Sequence, residues 1–305
     1  MTSPSDTLVA TLSESLINEM VAAVGLPTTK AFHNIFWRLF RRITDRLAYL
    51  GVTFDQIIKE DGLPTASAWA LTHFCNEPIT HNAKNIPEGG PLLALSSHPG
   101  AYDALVLYSN LKGHDIRSVS TVIPFFKHLP NARRIFLFAP RDNARERMIV
   151  MRNAIKHLQQ GGTVVYFGAG HREPDPAVYP GAERSIDRWL DVFDTFFKYV
   201  KDLRIMPTIA SGVVSPYWAK HPITWLRKKQ IDKQRLSEFG QVITQLIKPG
   251  KLMMTPRISF GEPFTEEELR QESGSGKLYD AVIKHAKNLF QESSNYFGDF
   301  QMGKT

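Results

Sequence analysis

Apolar and polar positions follow two different patterns along the chain, and the change falls near residue 80. Up to that point, apolar residues recur at helical spacing in four segments. They cover 7–25, 29–50, 53–60 and 65–75. Residues 77–90 are rich in Pro, Gly and polar side chains, which is typical of a boundary. The pattern predicts an N-terminal helical segment, 1–80, followed by a second domain, 81–305.

In the second domain, short apolar runs alternate with longer amphipathic segments. The predicted strands are 91–95, 116–122, 134–138, 163–167, 204–209 and 252–260. The predicted helices begin at 104 and cover 143–160, 183–200, 231–247, 265–271 and 277–292. Because strands and helices alternate, the predicted fold class is α/β, with a mixed, mainly parallel sheet flanked by helices.

The predicted helix 29–50 carries the strongest apolar stripe in the chain. Its polar face holds four arginines, at positions 38, 41, 42 and 46. Such a helix either packs its apolar stripe on the protein core or lies on an anionic membrane with arginines toward the phosphates. The sequence leaves both interpretations open and favours packing on the core.

Composition narrows the class of protein. Hydrophobic residues make up 43% of the 305, which supports a sizeable core. Cys75 is the one cysteine, so an internal disulfide is impossible, and its apolar surroundings predict a packed thiol rather than a nucleophile. The formal net charge of +7 favours anionic partners. Basic residues cluster at Arg227-Lys228-Lys229 but form no longer run, so nucleic acid is not an expected partner.

The sequence also bears on location. No stretch of eighteen consecutive apolar residues is present, so a membrane-spanning helix is not expected. The first twenty residues have neither a basic start with an apolar core nor an acidic-poor composition, so neither a signal nor a transit peptide is predicted. We expect a cytoplasmic protein, with peripheral attachment to the inner face of a membrane left open.

His98 and Asp103 form the first candidate site. The histidine follows the predicted strand 91–95, and the carboxylate comes five residues later, at the start of a helix. Sites in open α/β sheets form at the carboxyl ends of strands. A turn there can place imidazole beside carboxylate, which makes a general base with a fixed tautomer. The H-x4-D spacing also arises by chance, so the surrounding segments decide its meaning.

Three later strand ends carry basic or glycine-rich residues. They are Lys127-His128, Arg141 and Gly168-Ala169-Gly170-His171-Arg172. At one edge of a sheet these groups would meet His98, and their cations and glycine amides suit a phosphate. Each has a simpler alternative: an exposed pair for Lys127-His128, pairing of Arg141 with Asp142 or Glu146, and an ordinary turn for the glycine-rich loop.

The order of these motifs resembles the glycerolipid acyltransferases over roughly residues 90–215. Arg141 matches a basic motif of the bacterial lysophosphatidate acyltransferases, and Phe167, Gly170 and Arg172 match their Phe-Pro-Glu-Gly-Thr-Arg motif. Lys127-His128 matches the Lys-His pair of the plastid glycerol-3-phosphate acyltransferases. The sequence differs from one branch or the other at three positions, Ala169, His171 and Glu173. The identity of the acceptor substrate therefore stays open.

The resemblance implies a mechanism and partners. His98 deprotonates an acceptor hydroxyl while Asp103 orients the ring, and the oxygen attacks an acyl thioester on coenzyme A or acyl carrier protein. Backbone amides near Gly168 to Gly170 would stabilise the oxyanion.

The substrate-binding residues that the resemblance implies are Lys127, His128, Arg141, Gly170, His171 and Arg172. They would hold glycerol 3-phosphate or a lysolipid such as 1-acylglycerol 3-phosphate at an anionic membrane surface. No metal and no resident cofactor are expected. A thioester or ester hydrolase with the same His/Asp pair, and a non-catalytic lipid-surface binding protein, are the alternatives.

Overall fold

The computed structural model describes residues 4–23, 29–121, 123–140, 143–274 and 276–301. Its α-helices are Pro4–Ala23 (α1), Lys30–Leu71 (α2), Asp103–Asn110 (α3), Pro124–Lys127 (α4), Ala132–Ile135 (α5), Ala144–Gln159 (α6), Ala182–Ile186 (α7), Phe193–Tyr199 (α8), Pro216–Ala219 (α9), Gln230–Ile247 (α10), Glu266–Ser273 (α11) and Leu278–Phe297 (α12). Short 3₁₀ turns cover Ala83–Asn85 and Pro222–Leu226.

The strands form one sheet. They are Ile79–His81 (β1), Leu92–Ser96 (β2), Ile116–Ser120 (β3), Phe136–Phe138 (β4), Thr163–Phe167 (β5), Arg204–Ser211 (β6) and Arg257–Phe260 (β7). Their spatial order is β1-β7-β6-β2-β5-β3-β4. The β6–β7 pairing is antiparallel and the others are parallel, which confirms the predicted mixed, mainly parallel sheet flanked by helices.

Both faces of the sheet are covered, as an α/β sheet requires. In β2 the side chains of Leu92 and Ala94 enter one core with α2 and α3, while Leu93 and Leu95 enter a second core with α8 and α12. A strand buried on both faces reads as a continuous apolar run rather than an alternating one, which explains the 91–95 pattern.

The helical segment before the sheet differs from the prediction in one respect. The chain stays helical past residue 50 and breaks instead at Gly62, whose φ of 85° a side chain would oppose, just before Pro64. Gly51 lies within α2, and a Cβ there would come within 2.3 Å of the Phe125 ring. Gly51 is therefore a site of close packing rather than a helix end. The predicted end of the first helix, at Gly25, lies outside the described residues.

The helix predicted over 29–50 packs on the core along its second half. Thr44 and Ala48 are buried there, and Leu47 and Leu50 pack beside them, so the favoured interpretation is confirmed for this half. Toward the start of α2, Ile35, Trp37 and Leu39 remain exposed.

Other predictions need correction or stay open. The segment 134–138 is half helix, because α5 ends at Ile135, and the helix predicted over 183–200 divides into α7 and α8. The division at residue 80 stays a prediction, and β1 spans it by pairing Ile79–His81 with β7. No described helix has an apolar window long enough to cross a bilayer.

Candidate active site

The central strands end side by side at one edge of the sheet. Ser96 at the end of β2 lies opposite Phe167 of β5 on one side and Thr208 of β6 on the other. Because all three strands are parallel, the segments that leave them meet at the same edge. Those segments carry His98, the 168–176 loop and residues 212–215.

His98 and Asp103 are brought together by the turn between β2 and α3. Asp103 is buried at the first position of α3, where the helix dipole favours a negative charge. One of its oxygens, Oδ2, accepts a hydrogen bond from His98 Nδ1 at 2.8 Å and another from the Gly100 amide at 3.1 Å. The carboxylate therefore holds the ring and the turn together.

The His98 ring keeps one nitrogen for a ligand. Since Asp103 accepts from Nδ1, that nitrogen carries the proton and Nε2 has a free lone pair. Nε2 has no hydrogen-bond partner among the described residues, and the side chain is 25% exposed. The ring packs on Phe167 with 4.4 Å between centroids. Burial lowers the pKa of His98, but the adjacent Asp103 carboxylate outweighs it, so the pKa lies above the ordinary 6.5.

Glu173 clamps the backbone of His98. The His98 amide donates to Glu173 Oε2 at 2.8 Å, and the Glu173 amide donates to the His98 carbonyl at 2.8 Å. Ser185 and the Trp189 indole both donate to Oε1 at 2.8 Å. Burial raises the pKa of Glu173, while these bonds lower it. Glu173 therefore has a structural role, at the position where the plastid-type motif has an arginine.

Asp175 makes a second backbone clamp in the same loop. Its carboxylate accepts from the amides of Gly212, Val213 and Val214 at 2.8 to 2.9 Å, and from Ala177 at 3.0 Å. The loop after β5 is thereby tied to the exit of β6. His98, its Glu173 clamp and both neighbouring loops form one hydrogen-bonded unit.

Arg172 lies in the same unit but is already paired. Its guanidinium forms an ion pair with Glu238 of α10 through Nη1. The Arg172 side chain is 30% exposed and that of Glu238 is 5% exposed. Burial raises the pKa of Glu238 to about 7, although Arg172 and His98 lower it.

Helix α10 places Glu238 through a buried polar stripe. Four inward residues at spacings of four, three and four share one helical face: Gln234, Glu238, Gln241 and Gln245. The three glutamines bind backbone groups of the surrounding loops, including a 2.9 Å bond from Gln234 to the Glu173 carbonyl. Four polar residues at helical spacing can be recognised in the sequence, but a search for apolar stripes does not detect them.

The glycine-rich loop is less open than predicted. The amides of Gly168 and Gly170 both donate to carbonyls, of Ser96 and Phe167, at 2.9 Å. Neither of these two amides is free for an oxyanion, so the expectation fails for Gly168 and Gly170 and stays a prediction for the rest of the loop. A Cβ on Gly168 would come within 2.2 Å of the Trp189 ring, and Gly170 has a φ of 64°. His171 is exposed and bonds the Arg172 carbonyl through Nδ1.

The predicted Lys127-His128 pair lies farther from His98. Both residues are exposed, and α4 is held through Phe125 against α2 and through Phe126 against Phe54. Strand β3, which precedes α4, is two strands from β2, a separation of about 10 Å. The pair shares the sheet edge with His98 but makes no contact with it among the described residues. Arg141 lies outside the described residues.

Two remaining groups make no contribution to the site. Cys75 is buried, and burial raises its thiol pKa to about 12, which confirms a packed and unreactive cysteine. Within the described ranges, no three His, Cys, Asp or Glu side chains are grouped so that they could hold a metal ion.

Comparison with known proteins bears on the same region. Residues 77–186 match the family model described as Acyltransferase. A search of the curated proteins finds no match. Among solved structures, the chain is similar to the crystal structure of the 1-acyl-sn-glycerophosphate (LPA) acyltransferase PlsC from Thermotoga maritima. The identity is 16% and the TM-score 0.39, over 93% of this chain and 98% of that one.

Proposed function

We propose a specific reaction for this chain, starting from the match of residues 77–186 to the family model described as Acyltransferase, which agrees with the resemblance drawn from the sequence. The chain moves a fatty acyl group from a thioester, on coenzyme A or acyl carrier protein, to a hydroxyl of glycerol 3-phosphate or of a lysophospholipid such as 1-acylglycerol 3-phosphate. The observation that carries this proposal is the His98–Asp103 pair within the matched domain.

The proposed chemistry begins at His98 Nε2. This nitrogen takes the proton of the acceptor hydroxyl as its oxygen attacks the thioester carbonyl carbon, and Asp103 stabilises the resulting imidazolium. The tetrahedral intermediate then expels the thiolate, which takes the proton from His98 and leaves as a thiol. An ester bond forms and a thioester bond breaks, so the reaction needs no external oxidant or reductant and no resident cofactor.

Basic side chains at the same sheet edge would bind the acceptor phosphate. Arg172 lies close enough to His98 for its charge to lower the His98 pKa, and both residues interact with Glu238. A guanidinium offers forked donors that match phosphate oxygens. We assign further phosphate contacts to Lys127, His128 and Arg141, and contacts to the rest of the acceptor to Gly170 and His171.

An anionic membrane surface is the proposed partner from which the lipid substrate comes. The segment 216–229, here called the aromatic-basic segment, exposes Trp225 by 75% and Leu226 by 78%. Lys228 and Lys229 follow and are also exposed. Exposed apolar tips beside lysines suit an interface with anionic lipids. The segment leads directly into α10, whose Gln234 contacts the active-site loops.

The test is product formation by the purified chain. Acyl-CoA and acyl-acyl carrier protein are each incubated with glycerol 3-phosphate, 1-acylglycerol 3-phosphate and other lysolipids, and products are identified by mass. We expect His98→Ala to abolish transfer while its thermal unfolding stays cooperative. Arg172→Ala is expected to raise the KM of the acceptor more than the KM of the donor, since it removes a phosphate contact.

Two results would contradict the proposal. Acyl transfer by His98→Ala at the parent rate would show that another group is the base. Release of free fatty acid with no acyl product on any acceptor would assign the pair to hydrolysis instead.

A further inference from the structure

One carboxylate in the site has no place in the mechanism above. Glu238 is buried, and its Oε2 pairs with Arg172, while its Oε1 has no hydrogen-bond partner among the described residues. An unpartnered, buried carboxylate oxygen carries a considerable desolvation cost. Structural requirements alone do not account for an acid at this position.

The other members of the polar stripe on α10 show what an acid at position 238 adds. These other three members are neutral glutamines. Gln241 and Gln245 use both ends of their amides on neighbouring groups, and Gln234 donates from Nε2 to two backbone carbonyls. A fourth glutamine at 238 would have nearly the same volume and would still accept a hydrogen bond from Arg172. What the glutamate adds is a negative charge, placed beside Arg172, a cation whose charge acts on His98.

The position of that charge is close to the reacting groups. A Cβ built on Gly100, within the turn that joins His98 to Asp103, would lie 3.6 Å from the Glu238 carboxyl carbon. The Arg172 guanidinium therefore interacts with an internal carboxylate at the place where the proposed function puts the acceptor's phosphate. A carboxylate and a phosphate are alternative partners for one guanidinium.

Resting on the proposed function, we propose that Glu238 is a specificity-determining residue whose carboxylate competes with the anionic group of the acceptor for Arg172. It weakens the binding of acceptors that carry a phosphate and leaves uncharged hydroxyl acceptors unaffected. Burial supports this role, because it raises the Glu238 pKa to about 7. The carboxyl can therefore take a proton when Arg172 binds an anion instead.

The test compares two acceptors that differ only in phosphate, 1-acylglycerol 3-phosphate and 1-acylglycerol. In Glu238→Gln the KM of the phosphorylated acceptor should fall by about tenfold, whereas the KM of the uncharged acceptor and the KM of the donor should not fall. In Arg172→Gln the same substitution at 238 should have no effect, because the shared partner is gone. Glu267→Gln, an exposed glutamate on α11, is the matched control.

A binding measurement separates this inference from the proposed function. Glycerol 3-phosphate and glycerol are titrated calorimetrically into His98→Ala and into His98→Ala/Glu238→Gln, with no turnover required. Tighter binding of glycerol 3-phosphate alone in the second variant supports the inference, even if the parent chain acylates no acceptor tested.

Three outcomes would overturn the inference. They are an unchanged KM for the phosphorylated acceptor, a higher one, and no binding of glycerol 3-phosphate by either variant. If Glu238→Gln does not fold, Arg172→Gln/Glu238→Gln retains a neutral hydrogen-bonded pair, and its selectivity must then equal that of Arg172→Gln alone.

Discussion

At the scale of single residues, His98 and Asp103 are supported by carboxylates that come from distant parts of the chain. His98 and Asp103 belong to one turn, so their spacing along the chain nearly determines their spacing in space. Glu173 lies 75 residues from His98, and Glu238 lies 66 residues from Arg172. Their roles depend on how separate segments pack, and the distance between those segments in the folded chain cannot be read from one sequence.

The pKa of His98 gives a pH prediction. A general base must be neutral to act, so activity should fall as the pH drops through the pKa of His98, which lies above 6.5 because Asp103 favours the imidazolium. In Asp103→Asn this stabilisation is lost and burial remains, so the acid limb moves to lower pH. We also expect kcat/KM at its optimum to fall by about 10²- to 10⁴-fold.

The measurement is kcat/KM from pH 5 to 9 for both proteins. Burial also raises the pKa of Glu238 to about 7, and the Asp103 charge contributes to that rise, so the comparison is repeated in the Glu238→Gln background, where only the contribution of His98 can move. An acid limb that does not move would assign the limb to another group.

At the scale of elements, α10 matters more than its place late in the chain suggests. Its polar stripe binds the backbone of the loops on both sides of His98, so this helix acts as a support for the site. The sequence predicts the helix correctly at 231–247, against Gln230–Ile247 in the structure. The polar spacing on its inward face is present in the sequence too, but the usual search for a core-facing stripe looks for apolar residues and does not detect it.

A stability prediction follows for α10. The folded-state pKa of Glu238 is raised from 4.5 to about 7, so the folded chain holds that proton more tightly than the unfolded chain does. The group therefore contributes stability that is fully present below pH 4.5 and is lost as the pH rises to about 7. Glu173 and Asp175 shift in the same direction, so the difference between variants is the informative quantity.

Chemical denaturation of the parent and of Glu238→Gln at pH 5, 6, 7 and 8 measures this difference. Relative to the parent, the variant should gain stability as the pH rises. A difference that is constant with pH, or that runs the other way, would show that Glu238 is ionised in the folded chain without cost.

At the scale of the whole molecule, the sheet explains why distant motifs can serve one site. Parallel strands β5, β2 and β6 bring their ends to one edge, and this much follows from alternating strands and helices. The order of the strands does not follow, and it decides which loops touch. It places the 168–176 loop against His98 and leaves Lys127-His128 two strands away.

The aromatic-basic segment gives a prediction at this scale. Replacing Trp225 and Leu226 with alanine should weaken binding to vesicles of phosphatidylcholine and phosphatidylglycerol by about 10- to 100-fold, since two large apolar side chains no longer enter the interface. Binding of the parent should also weaken with added salt, because Lys228 and Lys229 act through charge.

Vesicle sedimentation measures the binding, and the double variant Met148→Ala/Tyr199→Ala is the matched control. Those two side chains are exposed by 58% and 51% but lie elsewhere on the surface. Equal losses in both double variants would remove any special role for the aromatic-basic segment.

The close packing of Gly51 against Phe125 limits which segments can be exchanged between this protein and its relatives. The Phe125 ring lies where a Cβ on residue 51 would be, and Phe125 belongs to the same short helix as Lys127. The helical segment and the sheet are therefore not interchangeable modules. A chimaera that takes α2 from a relative with any larger residue at this place would displace the Phe125 ring, which packs the short helix carrying Lys127 against α2, even with every residue of the sheet retained.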